Sequence, residues 1–178
     1  ILETSEFEWP REYLKHSKSP KKGRLDKILS RSKHDINDYF KFAFCRNPYD
    51  RIVSVWKYLS FVHSGRGMRN NLFPEFKNFI KLGLNINNRH WQWHYYPQYY
   101  HICSKNINSD IDYVGRFENL QEDFNVVCDK IGIPRQKLPH KNKSKHKHYT
   151  EYYDEETREI VAEKYAKDIE HFGYKFGE

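Results

Sequence analysis

The first regular pattern of apolar and polar positions along the chain is a strand followed directly by a helix. Residues 39–45 (YFKFAFC) are short, aromatic and almost wholly apolar, as in a buried strand of a parallel sheet. Arg46 ends this run, Asn47 can cap a helix, and Pro48 suits the first helical position. Helical spacing then places five apolar side chains on one face: Tyr49, Ile52, Val53, Trp56 and Leu59. We therefore predict a strand–turn–helix unit with Arg46 at the turn.

A second strand and two more helices are predicted in the middle of the chain. Residues 73–82 (FPEFKNFIKL) indicate a short amphipathic helix, whereas the aromatic and histidine-rich residues 88–102 show no clean period. Residues 112–117 (DYVGRF) predict the second strand. A helix follows it and ends at Gly132 and Pro134. Its apolar stripe is Leu120, Phe124, Val127 and Ile131.

The C-terminal part reads as a basic loop and one last helix. The loop covers residues 135–150, and the helix runs from a cap at Asp154 to His171, with Gly173 as its stop. The apolar stripe of this helix is Ile160 or Val161, Tyr165, Ile169 and Phe172. Strand–helix units in alternation predict an α/β fold with a central, mainly parallel sheet flanked by helices. With no repeat and no clear boundary, we expect a single domain over residues 1–178.

Composition narrows the class of protein. The chain has 178 residues, enough for one domain with a sizeable core, and its 38% hydrophobic and 17% aromatic content argues against disorder. A mean hydropathy of −0.99 and the lack of a long apolar run exclude a membrane span within these residues. Three cysteines without a CxxC pair fit neither a disulfide scaffold nor a zinc site. The net charge of +7 indicates an anionic partner without choosing among nucleic acid, membrane, nucleotide and sulfated substrate.

The turn after the first strand is a candidate anion site. Ligands in open α/β sheets bind beyond the carboxyl ends of strands, and a helix N-terminus favours anions. Arg46 offers a planar fork to a phosphate, and Ser54, two turns into the helix, can add a hydroxyl. From spacing alone, a structural salt bridge at Arg46 and an ordinary helical serine at Ser54 are the favoured alternative.

The basic loop and the histidines are less specific. Residues 140–148 (HKNKSKHKH) can close over a polyanion or can form a solvated surface loop. Their lysines oppose a bound cation, so we expect no metal. Histidine is the usual general base near neutral pH, but spacing does not rank the ten histidines of the chain. No GxxxxGK[ST] phosphate loop is present.

Three segments together resemble the carbohydrate-type sulfotransferases. They are YFKFAFCRNPYDRIVSVWKYL, YVGRFENLQEDFNVVCDKIGI and the segment from LPHKNKSKHKHYT to the end of the last helix, in the family's order. The resemblance implies a P-loop-NTPase-like fold and the donor 3′-phosphoadenosine-5′-phosphosulfate, with adenosine 3′,5′-bisphosphate as product and no metal. It assigns Arg46 and Ser54 to the donor's 3′-phosphate. It also assigns the donor-contacting loop to Lys143, Ser144, Lys145 and His146.

The resemblance also suggests acceptor-side residues. The base that deprotonates the acceptor hydroxyl is expected at His16, in YLKHSKS. From their place in the aromatic segment, and not from the resemblance, His94 and Gln98 are expected to line the acceptor site. Arg116 is expected to have a structural role near the donor. The expected partners are the nucleotide donor and a hydroxyl-bearing, carbohydrate acceptor, not nucleic acid. The family implies the cytoplasm for a bacterial protein or the Golgi lumen for a eukaryotic one, with membrane association only through a segment outside this chain.

One departure from the family leaves alternatives open. The family begins with an apolar strand and a PKTGGTS-like loop that binds the donor's 5′-phosphosulfate, and no such segment is found here. The chain is therefore expected to lack this strand and loop, so its isolated activity is in doubt. A catalytically inactive homologue is one alternative. A nucleic-acid-binding module is another, because the aromatic side chains of residues 88–102 can stack on bases.

Overall fold

The computed structural model describes residues 39–65, 73–85, 94–103, 111–139 and 147–178, without the side chains of residues 61–65 and 85. Apart from Tyr39, these residues all belong to one compact unit, Phe40–Glu178. The statements below concern this part of the chain. The expectation of a single domain over residues 1–178 stays a prediction.

Two parallel strands carry the start of the fold. Strand β1 (Phe42–Cys45) pairs with β2 (Tyr113–Arg116), in a register that sets Phe42 opposite Tyr113 and Cys45 opposite Arg116. Both strands were predicted, although β1 begins three residues later than the apolar run. Because parallel strands end at the same edge of a sheet, the residues that follow Cys45 and Arg116 come together there.

Helix α1 (Pro48–Gly65) leaves this edge directly after β1. The Asn47 side chain caps it, because Asn47 Oδ1 accepts a hydrogen bond from the Tyr49 N–H at 3.0 Å. The predicted apolar stripe faces inward: Ile52 and Val53 are fully buried, and Trp56 and Leu59 are nearly so. The strand–turn–helix prediction is confirmed.

Five more α-helices and three short 3₁₀ turns complete the described residues. The α-helices are α2 (Phe76–Lys81), α3 (Tyr99–Ile102), α4 (Leu120–Ile131), α5 (Glu155–Lys164) and α6 (Ala166–Phe172). The 3₁₀ turns are Gly83–Asn85, Phe117–Asn119 and Tyr149–Tyr152. Helix α4 ends, as predicted, at Gly132 in the left-handed conformation, with φ of 74°. These helices and the parallel strand pair give the mixed α/β fold that the sequence predicts.

The prediction of one continuous last helix is wrong, because Tyr165 separates α5 from α6. Its φ of −110° and ψ of 24° lie outside the helical region. The ring is fully buried, and the hydroxyl donates a hydrogen bond to the backbone oxygen of Tyr95 at 2.5 Å. A contact this distant in sequence holds Tyr165 where a straight helix would not place it. The predicted ends are correct: Asp154 forms a capping box with Thr157, and Gly173 stops α6 with φ of 68°.

The core lies between α1, α2, α5 and the turn at Tyr149–Tyr152. Its centre is built from Ile52, Val53, Phe79, Ile80 and Val161, each at most 1% exposed. Burial of these side chains fixes α1 against the rest of the unit, so the position of the turn that precedes α1 is fixed as well. Within the described ranges, none of the helices has the length and apolar character needed to cross a bilayer.

Candidate functional site

The turn between β1 and α1 is fixed through the backbone of Arg46. Its N–H donates to Gln98 Oε1 at 2.9 Å, and its carbonyl oxygen accepts from Gln98 Nε2 at 2.8 Å. One side-chain amide thus pairs with both polar groups of the residue, as a neighbouring strand would. The Arg46 backbone therefore has a defined direction at the end of the sheet.

The Arg46 side chain lies along the first turn of α1. Its Nε and Nη2 each approach Asp50 Oδ2 at 2.7 Å, and its guanidinium lies over the Phe117 ring, 4.5 Å from the centroid. Ser54 is one helical turn beyond Asp50 on α1, so it lies on the helix face that Asp50 occupies. The structure therefore contains a salt bridge at Arg46, as the alternative with a purely structural role for this residue predicts. Through Asp50, the Arg46 side chain is joined to the helix that carries Ser54.

Two N–H groups at the start of α1, from Asn47 just before the helix and from Tyr49 in its first turn, are already bonded to protein oxygens. The Asn47 N–H donates to Glu118 Oε1 at 2.6 Å, and the Tyr49 N–H donates to the Asn47 side chain. Neither of these two donors is free to bind an anion. The Glu118 carboxylate occupies the position that an anion would take at this helix end.

Glu118 is a site residue that sequence reasoning missed. It lies two residues beyond β2, and the parallel pairing of β2 with β1 places it beside the start of α1. The signal was available in the motif GRFEN: an acidic residue just after a strand that runs parallel to the one carrying Arg46.

A buried network supports this edge from below. Glu118 Oε2 accepts from the Tyr174 hydroxyl at 3.2 Å, and that hydroxyl lies 3.2 Å from Cys45 Sγ. Burial raises the pKa of Cys45 and of Tyr174, so both groups stay neutral. Arg116 stacks over the Tyr174 ring at 4.8 Å and donates to the Phe172 carbonyl oxygen at 2.6 Å. Arg116 thus holds the C-terminus of α6 to the sheet.

A cleft of about 490 Å³ opens beside this edge. Its walls are formed by Asn47, Asp50, Glu118, Lys147, His148, Tyr149 and Glu178. Lys147 pairs with Glu151 at 3.2 Å, and His148 Nδ1 lies 2.7 Å from the Thr150 hydroxyl. Three carboxylates thus face one lysine and one histidine. An anion bound here must draw on further positive charge, from Arg46 beside the cleft or from the basic loop that leads into Lys147.

The predicted acceptor residues lie on a segment tied to α1 and α6. Arg51 Nη1 and Nη2 donate to the backbone oxygens of Tyr96 and His94 at 2.9 and 3.0 Å, and burial lowers the pKa of Arg51. His94 is exposed, with its ring 5.3 Å from that of Tyr58. Gln98 is only 8% exposed, and both ends of its amide bond the Arg46 backbone. The structure therefore gives Gln98 a structural contact instead of an amide presented to the cleft.

Five predicted site residues lie outside the described residues. They are His16, Lys143, Ser144, Lys145 and His146. In the part of the chain that is described, no three His, Cys, Asp or Glu side chains converge as metal ligands would.

Comparison with known proteins gives a consistent set of similarities. The sequence pattern described as the sulfotransferase family matches residues 5–175. An uncharacterized protein of Archaeoglobus fulgidus is 33% identical over 57% of this chain and 74% of its own length. Carbohydrate sulfotransferase 9 of Homo sapiens is 28% identical over 88% of this chain and 38% of its own length. Carbohydrate sulfotransferase 10 of Xenopus laevis is 23% identical over 85% of this chain and 52% of its own length. The chain thus spans about half or less of these two relatives, and no solved structure matches it.

Proposed function

The chain belongs to the sulfotransferase family, and from this premise we propose that it transfers a sulfuryl group from 3′-phosphoadenosine-5′-phosphosulfate to a hydroxyl of a carbohydrate acceptor. The family membership confirms the resemblance seen in the three sequence segments. Donor and acceptor are the finer part of the proposal. They are supported by the names of the relatives and by the geometry at the end of β1.

The observation that carries the proposal is the position of Arg46 at the carboxyl end of β1, where its guanidinium bonds Asp50, one helical turn before Ser54. Arg46 is a fixed cation at the carboxyl edge of a parallel strand pair, where ligands of α/β folds bind. Its guanidinium can bond a phosphate with two parallel N–H donors, and the Ser54 hydroxyl can add a third. We assign this pair to the donor's 3′-phosphate.

The salt bridge to Asp50 is compatible with this assignment. Asp50 uses a single oxygen, Oδ2, to accept from both Nε and Nη2, and it holds the guanidinium along the helix in the absence of donor. A phosphate that binds the same guanidinium carries more negative charge than one carboxylate. The 3′-phosphate therefore competes well for Arg46.

We assign the basic loop to binding the remaining negative charge of the donor. Lys147 and His148 line the cleft, and the residues just before them are the candidates Lys143, Ser144, Lys145 and His146. His148 directly precedes the turn at Tyr149–Tyr152, and the four candidates directly precede Lys147 in the sequence.

In the proposed reaction the acceptor oxygen attacks the sulfur in line with the leaving phosphate oxygen. The new O–S bond forms as the S–O bond to the 5′-phosphate breaks, and adenosine 3′,5′-bisphosphate leaves. The acceptor's proton passes to a base, which we assign to His16. Arg46 and Ser54 orient the donor and take no part in bond breaking. His94 is assigned to the acceptor side, and Gln98 contributes through Arg46. Compartment stays a prediction, cytoplasm or Golgi lumen according to the source.

Calorimetric titration of the chain with adenosine 3′,5′-bisphosphate tests the donor site. We expect binding that Arg46→Ala weakens by about 1.5–3 kcal/mol, the usual loss for one charge-assisted contact. Tight binding of oligonucleotides, with no response to the bisphosphate, would instead identify a nucleic-acid-binding module. Bisphosphate binding without sulfate transfer to any carbohydrate, in a chain that includes a 5′-phosphosulfate loop, would identify an inactive homologue.

A further inference from the structure

A fully buried carboxylate, Asp168 on α6, lies behind the Arg46 turn. It is 0% exposed and accepts three hydrogen bonds. Its Oδ2 accepts from the Gln98 N–H at 2.9 Å and from Gln98 Nε2 at 3.3 Å, and its Oδ1 accepts from the Tyr99 N–H at 2.8 Å. A charge buried this deeply is retained only where its partners are well placed.

Gln98 connects this carboxylate to Arg46. Asp168 fixes both the backbone and the amide nitrogen of Gln98, and the amide in turn bonds the N–H and the carbonyl oxygen of Arg46. A free glutamine side chain would sample several rotamers, and each hydrogen bond to Asp168 removes some of that freedom. The amide is therefore oriented before it meets Arg46.

The contact acts on the direction of the Arg46 side chain. Hydrogen bonds to both sides of one residue fix its φ and ψ, and these angles set the Cα–Cβ direction. The guanidinium extends several bonds from that point, so a small backbone rotation displaces it by a much larger distance. Asp50 and Phe117 then hold its far end.

We propose that Asp168 and Gln98 are positioning residues that aim the Arg46 guanidinium at the 3′-phosphate of the donor. This inference rests on the function proposed above, and it adds two residues that touch neither donor nor acceptor. It also gives the buried carboxylate of Asp168 a role beyond folding: it orders the Gln98 amide, which fixes the backbone of the phosphate-binding arginine.

The test compares two ligands that differ only at the 3′ position, adenosine 3′,5′-bisphosphate and adenosine 5′-phosphate. Their Kd ratio in the intact chain measures the contribution of the 3′-phosphate. Gln98→Met keeps the length of the side chain and removes its hydrogen bonds. We expect it to reduce the ratio by about fivefold to tenfold, in line with the loss of one or two hydrogen bonds around a charged group. Asp168→Asn puts an N–H₂ group against N–H donors and is expected to act in the same direction.

A double-mutant cycle separates positioning from general damage. In an Arg46→Ala background, Gln98→Met is expected to leave the ratio unchanged, because no guanidinium remains to be aimed. Thr157→Val is the matched control: it removes a buried hydroxyl of the α5 capping box and is expected to lower stability without altering the ratio.

The outcomes distinguish the two proposals. If the intact chain shows no preference for the bisphosphate, or Arg46→Ala leaves the preference intact, the 3′-phosphate site is wrong and the positioning role is overturned with it. If Arg46→Ala abolishes the preference while Gln98→Met and Asp168→Asn retain it, the donor site stands and the positioning role alone is overturned. An equal loss in Thr157→Val would also overturn it, since any destabilised variant would then behave alike.

Discussion

At the scale of single residues, Gly115 is needed because β2 passes close to an aromatic ring. A Cβ at this position would lie 2.6 Å from Phe44 Cε1, 2.8 Å from Phe44 Cδ1 and 3.0 Å from Asp123 Cβ. Real side chains do not approach this closely. Gly115 therefore lets the two strands and α4 pack at the edge that carries Arg46 and Glu118.

We expect Gly115→Ala to lower the free energy of unfolding by about 1–3 kcal/mol, as for overpacking in a dense core. Urea denaturation followed by tryptophan fluorescence measures this. Since the clash is with the Phe44 ring, the cost of the alanine should shrink in a Phe44→Ala background.

Gly132→Ala provides the matched control for this prediction. Gly132 has a positive φ of 74°, and nothing lies within 4 Å of the position a Cβ would take. Its replacement is costly because of backbone strain, not crowding, so Phe44→Ala should leave that cost unchanged. An undiminished cost of Gly115→Ala in the Phe44→Ala background would contradict the steric account.

At the scale of elements, the sequence predicts whatever depends on neighbours in the chain. The Asn47 cap, the stripe of α1, the Gly132 stop and the Asp154 cap are all local, and all are found. The break at Tyr165 was missed because it depends on a partner 70 residues away, the Tyr95 carbonyl oxygen. Periodicity carries no information about such a contact.

In the candidate site, too, residues set by their neighbours in the chain could be predicted, whereas those set by distant contacts were missed. Arg46 and Ser54 could be placed from the order of strand, turn and helix. Glu118 has its partner 71 residues away, and only its place just after a strand parallel to β1 could have indicated it. Asp168 could not be placed, because its partner lies 70 residues away in the chain. Gln98 was selected as an acceptor residue from its neighbourhood, yet its contacts with Arg46 and Asp168 are visible only after folding.

The stability that the Asp154 cap gives to the N-terminus of α5 is expected to depend on pH. Hydrogen bonds from Lys77 and then from Thr157 hold the pKa of Asp154 below its ordinary value of 3.8. A lowered folded-state pKa adds stability that is fully present above the unfolded value and is lost as pH falls through the folded one. We expect Asp154→Asn to be less stable than the unmodified chain near neutral pH. Urea midpoints measured at decreasing pH should converge below the ordinary carboxyl pKa.

Glu159→Gln is the control for this element. Glu159 is an exposed carboxylate in the middle of α5, so its removal changes the charge of the same helix without touching the cap. We expect its urea midpoint to follow that of the unmodified chain at every pH. A gap between Asp154→Asn and the unmodified chain that stays constant down to the most acidic pH would argue against the capping contribution.

At the scale of the whole molecule, the positive charge is unevenly distributed along the sequence. Of the 31 Lys and Arg residues, 16 lie outside the described ranges, against only 8 of the 24 Asp and Glu. The described residues thus carry a net charge of −1, and the excess behind the overall +7 lies elsewhere in the sequence. Because Asp50, Glu118 and Glu178 line the cleft, an anion there has to be bound by individual, well-placed cations and not by a general excess of positive charge.

Two triple variants with the same net charge decide whether position or total charge matters. Lys141, Lys143 and Lys145 belong to the basic loop that leads into the cleft, whereas Lys18, Lys21 and Lys22 lie in the N-terminal basic stretch. We expect conversion of the loop lysines to glutamine to weaken adenosine 3′,5′-bisphosphate binding by about tenfold or more, since charge-assisted contacts are lost. The N-terminal triple should change affinity less, because none of these three lysines is among the proposed donor contacts. Calorimetry at two salt concentrations measures both, and equal losses in the two triples would mean that only total charge attracts the nucleotide.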